Sequence, residues 1–311
     1  DAADFNNDGY SDLISLDMLG ESHERKKTTI AKSSFFQNVM NKKWGYQDQH
    51  MRNMLFKNNG SALPFTEIGQ YAGIYQTDWS WSPLFTDVDY DGKKDLLITN
   101  GFPRDITDMD FANYRLNEGV YISVSKLLDS IPIIKIPNYA YRNNGDLTFE
   151  DIGEKWGLNI PSFSNGAVFS DLDLDGDLDY VVNNINDKAF VFKNNLTTKA
   201  PETKYLQVKL VGSRQNVNAL GANVVVRFND GTFQFHEQQL SRGYMSSVDP
   251  ILYFGIPSDK NVSSIEVLWP DSRFSTLEGP TLNQRHIIYH KEATAIQNLA
   301  YPFVEEPKEY S

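Results

Sequence analysis

The sequence predicts an all-β chain: a partial β-propeller of short-stranded blades with helical insertions, followed by a small β-sandwich-like domain. Three observations lead there. Acidic loops of one design start at Asp4, Asp87 and Asp171, 83 and then 84 residues apart. Strand pairs around Asn-Asn turns recur between them. Beyond residue 200 the acidic loops stop and only strand patterns remain.

The loops set the chemistry. They read Asp4-Phe-Asn6-Asn-Asp8-Gly9-Tyr10-Ser-Asp12, Asp87-Val-Asp89-Tyr-Asp91-Gly92-Lys93-Lys-Asp95 and Asp171-Leu-Asp173-Leu-Asp175-Gly176-Asp177-Leu-Asp179. Each puts oxygen side chains at positions 1, 3, 5 and 9, and glycine at position 6 supplies the sharp turn. Carboxylates this dense repel one another unless a hard cation lies between them, and Ca²⁺ takes six to eight oxygens. The expectation is three calcium ions, one per loop. Position 7 (Tyr10, Lys93 and Asp177) would add a backbone carbonyl in each. The third site is expected to be tightest, because it has the most acids and no lysine, whereas Lys93 and Lys94 stand in the second. An EF-hand is excluded. Position 12 is Ser15, Ile98 and Val182 rather than Glu, and the segments that follow read as buried strands, not helices.

Between the loops the blades can be read in order. Leu55-Phe-Lys-Asn58-Asn59-Gly60 with Phe65 to Gly69, and Ala140-Tyr-Arg-Asn143-Asn144-Gly145 with Phe149 to Gly153, are strand, turn and strand. Ser80 to Phe85 and Ser164 to Phe169 run into the second and third loops, and Val191-Phe-Lys-Asn194-Asn195 starts a fourth copy. Four short strands per turn motif is one propeller blade. The repeats resemble the FG-GAP/VCBS blades of integrin-like β-propellers over residues 1–200, and that resemblance implies calcium in loops between blade strands. A propeller closes with about four to eight blades. Fewer are visible here, so the chain is expected to be part of a longer polypeptide or larger complex.

The composition shifts near Lys199-Ala-Pro201. Strands are expected at 206–211, 222–228, 232–240, 251–255, 264–269 and 285–290, with Asn229-Asp230-Gly231 as a hairpin turn. Residues 201–292 resemble the ASPIC/UnbV domain through Leu220-Gly221-Ala222, Ser241-Arg242-Gly243-Tyr244-Met-Ser246, Leu252-Tyr-Phe-Gly255 and Val267-Leu-Trp269-Pro270-Asp271. Such domains follow FG-GAP repeats in Bacteroidetes-type surface proteins, often lipoproteins of the outer membrane, and in cartilage acidic protein. Residues 293–311 read as a linker or the start of a further repeat region.

Two insertions interrupt the blades. Residues 19–51 hold a basic run (His23 to Lys27) and an expected helix from Thr29 to Lys43. Residues 101–137 hold Asp105, Asp108 and Asp110, expected to cap a helix rather than hold a cation, and a second helical stretch from Tyr121 to Leu128.

Formal net charge is −12, and twelve carboxylates lie in the three loops, where calcium would neutralise them. Acidity without a basic stripe excludes a nucleic-acid partner. No apolar run is long enough to span a membrane. There is no cysteine, so no disulfide. Serine-nucleophile and phosphate-loop motifs are absent. His286 and His290 would share a strand face but lack a third ligand. Trp79 is expected in a blade core, and Trp81 is left as a possible sugar-stacking side chain. The function expected is a non-catalytic, calcium-stabilised binding or assembly module at a cell surface or secreted, taking a protein partner or a glycan. The alternative is a polysaccharide-processing propeller enzyme with its active residues on other blades.

Overall fold

A computed structural model describes residues 1–29, 35–47, 50–60, 63–119 and 121–295. Strands β1 (Ala2–Ala3) and β2 (Asp12–Ser15) flank the first acidic loop. Then β3 (Met18–Leu19) leads into the first insertion with helices α1 (His23–Thr28) and α2 (Phe35–Lys43), and β4 (Met54–Lys57) and β5 (Thr66–Glu67) close the first blade. The plan repeats. β6 (Asp78–Thr86) and β7 (Asp95–Asn100) flank the second loop, α3 (Met109–Glu118) and α4 (Val124–Asp129) occupy the second insertion, and β8 (Tyr139–Asn143) and β9 (Phe149–Asp151) complete the blade. β10 (Ser164–Ser170) and β11 (Asp179–Asn184) flank the third loop, followed by β12 (Phe190–Phe192) and the short α5 (Leu196–Lys199). The last domain contains β13 (Lys204–Val211), β14 (Asn223–Phe228), β15 (Phe233–Glu237), β16 (Ile251–Ile256), β17 (Val262–Leu268), β18 (Arg273–Glu278), β19 (Gln284–Tyr289) and β20 (Thr294–Ala295).

The chain is mostly β: five small sheets in a propeller-like arrangement, with a few short helices. Three sheets are blades, ordered β1-β2-β4-β5, β3-β6-β7-β8-β9 and β10-β11-β12. The other two, β16-β13-β19 and β15-β14-β17-β18-β20, face each other across a core of Leu206, Val208, Phe254, Val224, Val226 and Ile265. Blade strands bury side chains on both faces. In β7, Leu96 and Ile98 pack toward the first blade and Leu97 toward the third, so two cores run between successive blades. The core between the second and third blades also takes in Val248, Ile251 and Tyr253. The C-terminal domain is thus packed into the blades rather than hung from a linker. Buried Lys94 fixes this contact, donating to the Asp4 carbonyl at 2.7 Å and the Phe235 carbonyl at 3.1 Å.

Several expectations need correction. Thr29 is not helical: it bridges Asp108 in extended form. The basic run instead forms α1, capped by Ser22, and helix resumes at Phe35, residues 30–34 lying outside the described ones. Trp79 is half-buried and stacks on Phe102 at 4.8 Å instead of entering a blade core, and the Trp81 ring packs on Tyr244 at 4.8 Å. β18 had no counterpart in the sequence reading. Asp108 caps α3 through the Phe111 amide (2.8 Å), as expected. Of the expected tail from residue 293, Thr294–Ala295 pair with β18, and 296–311 lie outside the described residues. No described helix is long and apolar enough to cross a membrane.

Candidate metal centres

All three loops share one backbone. Position 4 is left-handed in each (Asn7 φ 56°, Tyr90 56°, Leu174 63°), as is the position-6 glycine (Gly9 92°, Gly92 86°, Gly176 101°). A left-handed tyrosine or leucine is a strained choice, and two of the three side chains show a use for it. Asn7 Nδ2 donates to the Gly92 carbonyl at 2.9 Å, and Tyr90 Oη donates to the Gly176 carbonyl at 2.8 Å. Each loop therefore grips the glycine of the next. Leu174, at the same place in the third loop, is exposed.

The position-9 carboxylates are structural pins. Asp12 accepts the amides of Phe5 (3.2 Å) and Asn58 (2.8 Å), Asp95 those of Val88 (3.0 Å) and Asn143 (3.0 Å), and Asp179 those of Leu172 (3.0 Å) and Asn194 (2.9 Å). One oxygen holds the loop and the other holds the Asn-Asn turn that follows. At position 5, Asp8, Asp91 and Asp175 accept the amides of position 7, namely Tyr10 (3.1 Å), Lys93 (3.0 Å) and Asp177 (3.3 Å). The Asp177 side chain, buried, receives the Thr197 amide at 2.9 Å.

Oxygens of Asp87, Asp89 and Asp95 lie within 4.8 Å of one another, as do those of Asp171, Asp173 and Asp175, so each triad could hold a metal ion. The donor set fits a hard cation on a further ground. Asp87 Oδ1, Asp171 Oδ1 and Asp177 Oδ1 are buried without a hydrogen-bond partner, a costly state for a carboxylate oxygen. The first loop differs. Both Asp4 oxygens are taken by the amides of Asp8 (3.1 Å) and Gly9 (2.8 Å), and Asn6 donates to Asp8 at 2.8 Å. Asp4, Asn6, Asp8 and Asp12 are close in the chain, but their oxygens are taken up by backbone amides, by Asn6 and by Lys57.

Burial dominates the electrostatics. It raises Asp4 to about 6, against the pull of Lys94, and Asp12 to about 7. Asp87 and Asp95 are also pushed well up by burial and by neighbouring carboxylates, and Asp89 and Asp177 more moderately. Each loop also receives a cation from the residue just before the next Asn-Asn turn. Lys57 reaches Asp8 (3.1 Å), Arg142 reaches Asp89 (2.9 Å) and Asp91 (3.5 Å), and Lys193 pairs with Asp173 and Asp175. The third loop is therefore not free of lysine. The Lys94 ammonium gives its hydrogen bonds to the Asp4 and Phe235 carbonyls rather than to the second loop, whereas Lys93 pairs with Asp91 at 3.0 Å. The other candidates fall apart: His286 meets the Thr281 carbonyl, His290 sits in a 3₁₀ turn on Asp271, and Asp105 pairs with Arg25 at 2.6 Å.

The C-terminal domain covers the loops. Gln207 Nε2 donates to Asp171 at 2.8 Å, and a Cβ built on Gly176 would stand 2.2 Å from the Tyr205 hydroxyl. Gly176→Ala should cost about 3 kcal/mol, from overlap and the left-handed backbone together. Urea denaturation with an unchanged slope would measure it, and a loss below about 1 kcal/mol would mean that Tyr205 is not seated there.

Acidic-loop blades with a β domain laid over their loops define the class of protein. Residues 212–295 match the ASPIC and UnbV family, so the chain carries that domain. It is similar to cartilage acidic protein 1 of Homo sapiens, with 26% identity over 165 residues, 51% of this chain and 24% of that protein. The Mus musculus protein is 27% identical over 165 residues, and the Xenopus tropicalis protein 26% over 295 residues, 82% of this chain and 42% of that protein. The chain thus spans less than half the length of the curated relatives it matches.

Proposed function

We propose that this chain is a non-catalytic binding or assembly module, stabilised by calcium in its acidic loops and working outside the cell or at its surface. The observation that carries the binding role is the surface made by the two insertions. They are joined: Arg25 of α1 pairs with Asp105 of the second insertion and with Asp78 of β6, and Thr29 bridges Asp108. Large apolar side chains then stand exposed on both, Phe35 (84%), Phe36 (73%) and Trp44 (64%) on one, Tyr121 (83%) and Val124 (72%) on the other. Exposed large apolar side chains on inserted segments are candidates for interaction sites, and loops held by a rigid scaffold commonly carry recognition.

Calcium is the ion the oxygen-only donor set favours, with all three loops as sites and the first the weakest. The names of the matched cartilage proteins support an extracellular setting, where calcium is abundant enough for loops of this kind. The partner is a protein or a glycan displayed there.

The test is a double substitution, Phe35→Asp with Tyr121→Asp, both far from any buried contact. Melting temperature and calcium affinity should stay within error, while association with partners captured from native membranes falls at least tenfold. Retained association would move the binding surface to the C-terminal domain. Turnover on a glycan panel, lost on changing one residue, would favour an enzyme instead.

A further inference from the structure

Because the blades repeat, one interface between them can be compared with the next. Between the first and second blades, Phe149 of β9 is buried and its ring stands 5.7 Å from that of Phe5, which stacks on Phe85 at 6.0 Å. The Phe149 amide donates to the Ala72 carbonyl at 3.0 Å, tying the fourth strand of one blade to the blade before it. Between the second and third blades the same positions carry Val88 for Phe5, Trp156 for Ala72, Phe169 for Phe85 and Phe192 for Tyr141. Among the described residues nothing stands for Phe149, because the third sheet ends at β12.

In its place is a cavity of about 270 Å³ lined by Val88, Trp156, Leu158, Phe169, Tyr180 and Phe192. Tyr180, which replaces Leu96 of the second blade, keeps its hydroxyl buried without a hydrogen-bond partner. The strand edge beside the cavity is open as well. Leu55 and Ala140, on the strands that carry a fourth strand in the first two blades, are 0% exposed, whereas Val191 at the matching position is 65% exposed. An apolar cavity next to a bare edge suits an extended segment with one anchoring side chain.

Charge narrows the occupant. In the second blade Glu150, next after Phe149, sits opposite Arg142, which also pairs with the acidic loop. Lys193 holds the Arg142 place in the third blade, pairing with Asp173 and Asp175, and Lys155 and Lys199 line the cavity with it. An acid that follows the anchoring ring therefore meets cationic neighbours.

We propose that the third blade binds a partner protein through an extended segment in which a phenylalanine is followed by acidic residues. The ring occupies the cavity and the main chain pairs with β12 in the register of β9 on β8, the phenylalanine opposite Asn194 and the first acid opposite Lys193. The phenylalanine amide takes the Trp156 carbonyl as its acceptor, as Phe149 takes that of Ala72. This surface shares no residue with the two insertions.

The probe is a fluorescein-labelled peptide Asp-Leu-Thr-Phe-Glu-Asp-Ile, the sequence of residues 146–152, titrated with the 311-residue chain and read by anisotropy. It should bind saturably, and the peptide with alanine for phenylalanine should bind at least tenfold more weakly. With benzoylphenylalanine at the ring position, irradiation should attach the peptide to β12 or to residues 156–158, located by peptide mass. No saturation below about 1 mM, a dissociation free energy of only about 4 kcal/mol, would overturn the proposal. Equal binding of the alanine peptide, or attachment elsewhere, would overturn it too. So would a chain that dimerises and excludes the peptide, which would give the edge to a second copy.

Discussion

Chelating calcium should lower the melting temperature of this chain by on the order of 10 °C at pH 7, and by far less at pH 4.5. A site with a dissociation constant of ~10⁻⁵ M, within the range of oxygen cages, gives about 2.7 kcal/mol at 1 mM calcium. Two such sites, the second and third loops, give about 5 kcal/mol, and about 2 °C per kcal/mol follows for a chain of this size. The pH dependence follows from the buried carboxyls. In chelator, Asp4 and Asp12 are raised on folding from the ordinary 3.8 to about 6 and about 7. At these two groups the folded chain holds more protons than the unfolded one between pH 4 and 7, so their contribution to the stability of the metal-free protein is full below pH 4 and is lost as pH rises through that window. In the second loop, burial and neighbouring carboxylates likewise push Asp87 and Asp95 well up, and calcium bound there takes the place of their protons, so the slope flattens. Scanning calorimetry at pH 4.5, 6 and 7, with calcium and with chelator, measures this. Curves that coincide at pH 7 would sink the calcium account.

Lys94→Ala should be the most damaging single substitution between the blades and the C-terminal domain. The ammonium is buried, and burial lowers its pKa against the pull of Asp4 and Asp87. It joins the Asp4 carbonyl of the first loop to the Phe235 carbonyl of β15. Truncation strands both acceptors and opens a cavity, a loss of about 3–5 kcal/mol. Lys94→Met, which keeps the volume, should recover the packing share and about half of that loss. Proteolysis would show the cause: cleavage in the β15–β16 region should accelerate in Lys94→Ala well before the blades open. Uniform acceleration along the chain would mean that Lys94 acts on global stability alone.

The acidic loops could be read from the sequence because liganding chemistry sets a local spacing, and repetition at near-constant separation excluded chance. Most strands of the C-terminal domain were legible for a related reason, since alternation and Asn-Asp-Gly are short-range signals. β18, Arg273–Glu278, was missed because it is polar, half-exposed and follows directly on a Pro-Asp turn. What links distant residues left little trace. The cation before each Asn-Asn turn is visible in the repeats as Lys57, Arg142 and Lys193, but its target lies in the preceding loop, 49 residues away for Lys57 and Asp8. The position-4 relay from Asn7 to Gly92 and Tyr90 to Gly176 spans whole blades. Lys94 looked like a charge inside an acidic loop, and only the fold turns it inward to the C-terminal domain. The role of position 9 was half-read: Asp12, Asp95 and Asp179 belong to the loops, but their oxygens first serve the backbone amides that shape them.

The most direct measurement is a calorimetric titration of the chelator-stripped chain with calcium, in parallel with Asp87→Asn and Asp171→Asn. The unsubstituted chain should bind two ions tightly and a third, in the first loop, at least tenfold more weakly. Each substitution should remove one tight ion and leave the other. No calcium uptake below 1 mM, or full uptake by both variants, would contradict the assignment of the acidic loops as metal centres.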